Sequence, residues 1–150
     1  MKNLTLYFAL SLLLSASAFT QNLIWTETSD ATGTGDQAFA SDLDQNGNHY
    51  VAGNYADTLV VDGVSYPNYV NDGSNDAYVI KYDATGNVIW VKTINGPSSQ
   101  LIKSLRVNPN TGDCYVAGSF ITDFYIDGIK QNTQTFSGFS TNFYRSFIMR

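Results

Sequence analysis

The chain has 150 residues, 43% of them hydrophobic and 14% aromatic, and carries a formal net charge of -5 at pH 7. That acidic balance disfavours a general affinity for nucleic acid or anionic lipid. A single cysteine, Cys114, excludes an intrachain disulfide, so stability has to come from packing.

Lys2 opens a short positive region, and an apolar run from Leu4 to Leu14 follows, broken only by Thr5 and Ser11. Ala16-Ser17-Ala18 then supplies the small–x–small pattern that a signal peptidase accepts. The run falls short of the roughly 20 apolar residues a spanning helix needs. Residues 1–18 are therefore expected to be a signal peptide, cleaved after Ala18, and the protein to be secreted or displayed at the cell surface. No membrane span is expected in the mature part, residues 19–150.

The mature sequence repeats itself. Ile24-Trp25 recurs as Ile89-Trp90, Tyr50-Val51-Ala52-Gly53 as Tyr115-Val116-Ala117-Gly118, and Asp62-Gly63 as Asp127-Gly128, each 65 residues on. Tyr78-Val79-Ile80-Lys81 finds a later counterpart in Phe147-Ile148-Met149-Arg150, at an offset of 69. Between the first two landmarks the offset drifts to 64, because the turn at Gln45-Asn46-Gly47 lengthens to Pro109-Asn110-Thr111-Gly112. Repeat 1 then covers residues 23–87 and repeat 2 residues 88–150.

Taken in order, the first repeat opens on a Trp strand at 23–28 that contains Trp25. Strands at 39–43 and 49–55 flank Asp44-Gln45-Asn46-Gly47-Asn48, whose Asn-Gly pair accepts the positive φ of a tight hairpin. Strands at 58–61 and 64–66 flank Asp62-Gly63, and strands at 77–82 and 88–93 flank Asp83-Ala84-Thr85-Gly86-Asn87. The stretch 77–82 is apolar on both alternating sets, so its sheet is expected to be covered on both faces. No segment shows helical periodicity long enough to predict a helix. In the second repeat, Gly112, Tyr115 and Gly118 take the places of Gly47, Tyr50 and Gly53, and Trp90 takes that of Trp25. These eight residues mark the structural repeat.

Repeated four-stranded units of this kind predict an all-β fold of antiparallel β-propeller blades. Asp44-Gln-Asn-Gly-Asn48, Tyr50-Val-Ala-Gly53, Asp76-Ala-Tyr-Val-Ile-Lys-Tyr-Asp83 and Gly86-Asn-Val-Ile-Trp90 stand in an order that resembles the seven-bladed β-propeller repeat family, called SBBP. The second copy departs from it where Arg145-Ser146 replaces Asp76-Ala77. The resemblance implies a fold, common in exported proteins of Bacteroidota-like bacteria, and no fixed activity. About two blades fit in 150 residues, too few to close a ring. The chain is thus expected to be the N-terminal fragment of a longer propeller or to associate with further copies of itself.

Chemistry is sparse. Asp42, Asp44 and Asn46 with Gly47 copy positions 1, 3, 5 and 6 of a calcium loop, but position 12, where a carboxylate is required, is Gly53. A hairpin turn is the favoured reading, with calcium as the one cofactor considered. His49 is the sole histidine, so a Ser–His–Asp triad would have to use it. Acid pairs for glycoside hydrolysis are conceivable among Asp57, Asp62, Asp72, Asp76, Asp123 and Asp127, most of which sit in turn sequences where aspartate bonds its own backbone. Trp25 and Trp90 could stack on sugars, yet their equivalent positions favour packing. Cys114, in an alternating strand, reads as a small buried hydrophobe. No catalytic residue is assigned. The expected function is non-catalytic: an extracellular binding or scaffolding module that presents loops to a protein or glycan. The alternative is part of a secreted carbohydrate-active or peptide-cleaving enzyme whose active residues lie elsewhere.

Overall fold

A computed structural model describes residues 30–31, 36–70, 73–131 and 144–150. Residues 1–18 and Trp25 lie outside them, and so do the strand expected at 23–28 and residues 132–143. The described residues are all-β, with antiparallel pairing throughout.

In chain order the strands are β1 (Asp30–Ala31), β2 (Gln37–Leu43), β3 (His49–Tyr55), β4 (Thr58–Val61), β5 (Val64–Pro67), β6 (Asp76–Tyr82), β7 (Val88–Asn95), β8 (Gln100–Val107), β9 (Cys114–Phe120), β10 (Tyr125–Ile126), β11 (Ile129–Lys130) and β12 (Arg145–Met149). Strands β2, β3, β6 and β7 form a four-stranded meander. Strands β8, β9 and β12 repeat its first three positions, and β12 is the outermost strand of that sheet among the described residues. The repeat extends to irregularities: register shifts fall between Ala38 and Ala40 in β2 and between Ile102 and Ser104 in β8, 64 residues apart.

Backbone conformation repeats as well. Positive φ occurs at Asp57 and Thr122, at Asp62 and Asp127, and at Gly63 and Gly128, each pair 65 apart. Consecutive positive φ values at Asp62-Gly63 and Asp127-Gly128 give the type of two-residue hairpin whose twist suits its flanking strands. Gly53 and Gly118 are required for another reason. A Cβ at Gly53 would lie 2.6 Å from the Tyr78 hydroxyl, and one at Gly118 would lie 2.6 Å from the Phe147 ring. The same aromatic position thus crosses the same glycine in both units.

The two hairpins leave their own sheets. β10 pairs with β7 of the preceding unit, Tyr125 opposite Asn95, which widens the first sheet to six strands. β4 pairs in the same way with β1, Val60 opposite Asp30. Adding 65 to Val60 and Asp30 gives Tyr125 and Asn95, so the two pairings are one joint in one register. Each unit therefore sends a hairpin back to the end of the strand that precedes it.

The sheets stack face to face. One core lies between them: Tyr50, Ala52, Ala77, Val79 and Ile94 meet Ile102, Leu105, Val107, Val116 and Phe120. On the opposite face of the first sheet, Tyr55, Tyr78, Ile80 and Tyr82 pack with Leu59 and Val61 of β4. β6 contributes to both, as its two apolar faces predict, and all but one of its residues are buried. Polar groups align the stack. Asp42 accepts from the Val107 amide at 2.8 Å. The Gln45 amide donates to Pro109 O at 2.9 Å. Tyr50 Oη donates to Gly112 O at 3.0 Å, and Asn54 spans to Gln100 O at 2.5 Å and to the Ile102 amide at 3.3 Å. Buried groups of this kind cost stability unless bonded, so they favour one registry of the two sheets.

Candidate functional site

The calcium-like sequence folds as a hairpin turn with its oxygens engaged. Asp44 Oδ1 accepts from the amides of Asn46 (2.9 Å) and Asn48 (3.0 Å), and Oδ2 accepts from the Asn48 side chain at 2.7 Å. Burial raises the Asp44 pKa, but these donors and Lys81, 3.8 Å away, outweigh it and leave the carboxyl below its ordinary value. Asp42 points elsewhere, to the amides of Val107 and Leu43, which hold its pKa down. Asp83-Ala84-Thr85-Gly86-Asn87 builds the same turn: Asp83 accepts from the amides of Thr85 and Asn87 and from the Asn87 side chain. Residues that could share a cation in sequence are thus parted, Asp42 to the next sheet and Asp44 into its own turn. Among the described residues no group of three or more His, Cys, Asp or Glu side chains converges.

The other candidates are dispersed too. His49 opens β3, opposite Leu43 and Tyr82. Trp90 is half-buried and meets Tyr50 edge-on, with centroids 6.0 Å apart. Cys114 differs from expectation, being half-buried rather than buried. Desolvation and the Asp42 charge nevertheless push its thiol up to about 11, away from thiolate reactivity. Asp76 is buried and accepts from the Tyr69 amide at 2.8 Å and the Gly96 amide at 3.3 Å, an anchoring role for the loop ahead of it. Beside β7 and β12 an apolar cleft of about 470 Å³ opens between the sheets, lined by Val79, Trp90, Val116, Ile126 and Met149.

The most binding-like surface is one the sequence did not mark. Tyr69, on the loop after β5, stacks on Tyr125 of β10 with ring centroids 5.2 Å apart and planes 17° from parallel. The Tyr125 hydroxyl bonds to it and raises the Tyr69 phenol above its ordinary pKa. Tyr69, Val70 and Ile129 are exposed around this pair, and Lys130 bonds Asp123 at 2.7 Å at its margin. Asp76 holds the loop by the Tyr69 amide, while pairing to β7 holds the hairpin. Tyr69 and Tyr125 belong to different repeats at non-equivalent positions, so no local pattern joins them.

Comparison with family models, with curated proteins and with solved structures gives no match. No helix among the described residues is long and apolar enough to cross a membrane.

Proposed function

We propose that this chain is a non-catalytic extracellular binding module whose stacked sheets act as blades of a β-propeller. Their loops meet a protein or glycan ligand. The reading is carried by one observation, the braced Tyr69–Tyr125 stack, in which Tyr69 is exposed and Tyr125 half-buried. Flat aromatic rings with few rotatable bonds give large contact area at low entropic cost. A flat aromatic shelf with a polar margin suits a sugar ring better than a charged peptide. The scaffold under it is repeated, while the sequences at 67–75 and 131–144 differ between the repeats.

Glycan and peptide arrays probed with the mature chain test this. The expected result is capture of a glycan set that falls at least tenfold for Tyr69→Ala with Tyr125→Ala, while the melting temperature is largely kept. Equal capture by wild type and double variant, or capture of peptides alone, would sink the glycan reading.

A further inference from the structure

The joint between the two sheets has two halves, and each half recurs, uncovered, on the opposite side of the stack. On the first sheet the inner half is Tyr50, Ala52 and Val79. Its repeat equivalents on the second sheet, Tyr115, Ala117 and Ile148, face outward. Tyr115 is 38% exposed where Tyr50 is fully buried, and Ile148 is 76% exposed where Val79 is 2% exposed. On the second sheet the other half includes Ile102, Leu105 and Val107. Their equivalents on β2 are Ala38, Ser41 and Leu43, all exposed, with Leu43 at 48% against 8% for Val107. Further out on that side, Tyr55, Tyr78 and Ile80 are already buried, so the free part is the β2 edge.

We infer that a second copy of this chain docks its β2 face onto the Tyr115–Ile148 face, repeating the internal joint between molecules. Two observations favour this occupant. The two faces are the equivalents of surfaces already shown to fit each other within one chain. Finally, β1 is held by its hairpin in the place an outer strand of a preceding sheet occupies, whereas β12 has no outer neighbour among the described residues. Docking supplies each with what the internal joint supplies to its counterpart. Because the two faces differ, the contact is head to tail, and repetition yields rings or filaments rather than a closed twofold dimer.

The inference rests on the stacked-sheet part of the preceding reading and is independent of the tyrosine shelf. It is tested with the mature chain by light scattering over a concentration series, together with two variants, Tyr115→Asp and Leu43→Asp. Wild type is expected to reach at least twice the monomer mass, and each variant alone to remain monomeric with a wild-type circular dichroism spectrum. An equimolar mixture of the variants should form dimers and stop there, since each retains one competent face. Should either variant misfold, the change Ile148→Asp, at a residue 76% exposed on the same face, provides a second measure, expected to weaken association at least fivefold. A folded, monomeric wild type at every concentration overturns the proposal, pointing to a different occupant such as a further covalent repeat. Failure of the variant mixture to form dimers overturns the head-to-tail geometry. Loss of association with array binding intact refutes this proposal alone, and the converse refutes only the glycan reading.

Discussion

Asp44 and Asp83 close their hairpins with a shared set of donors, two main-chain amides and one asparagine side chain, to which Asp83 adds the Thr85 hydroxyl. Both carboxyls lie below the ordinary aspartate value, Asp83 chiefly through its bonds from Asn87 and Thr85. A carboxylate depressed in the folded state adds stability above its unfolded pKa and loses it as pH falls through the folded value. Thermal melts from pH 7 to pH 2 are therefore expected to stay level down to about pH 4 and then decline. Asp44→Asn should melt lower at pH 7 and decline less steeply below pH 4. An identical acid limb in both proteins would show that the turn bonds do not contribute. Aspartate and asparagine around a positive-φ glycine were readable in sequence as a turn. The direction of Asp42, which leaves that turn to bind Val107, was not, because its partner lies 65 residues away.

At the scale of elements, period-two patterns and turn sequences placed β2 to β7 nearly residue for residue. β3 and β4 match their expected bounds, and β2, β6 and β7 gain one or two residues at an end. The double-sided apolarity of β6 likewise foretold a covered sheet. What the pattern could not convey is where the short hairpins attach. β4–β5 and β10–β11 look like ordinary hairpins in sequence, yet each binds the neighbouring unit, since a ladder is chosen by proximity of edges and not by local propensity. Asp127 is the residue through which this attachment is tested. It has φ 49° and its amide donates to Thr93 O at 3.2 Å, so Asp127→Pro removes the donor and forbids the backbone angle. Amide exchange at Asn95, opposite Tyr125, should quicken by tenfold or more in that variant, while protection in β3 is retained. Unchanged exchange there would mean that the hairpin adds nothing to β7.

For the whole molecule, the decisive fact is that the second sheet has no core of its own. Ile102, Leu105, Val107, Val116 and Phe120 are buried against side chains of the first sheet. A three-stranded sheet with one face stripped to water lacks the burial that offsets chain entropy. Residues 97–150 expressed alone are expected to give a disordered circular dichroism spectrum, and a cooperative melt from that fragment would contradict the shared core. The all-β class and the repeat were legible because landmarks recur at a fixed spacing. The Tyr69–Tyr125 shelf was not, because it arises only when a loop of one unit meets the hairpin of the next. The backward reach of that hairpin also bears on how the protein is made. A ribosome delivers β7 some thirty residues before β10, so the outer edge of each newly synthesised sheet waits uncovered until the following unit emerges. Synthesis from the N-terminus thus leaves one vulnerable edge at a time, and a slow stretch of translation between β7 and β10 would lengthen the interval in which a stray strand can take the hairpin's place.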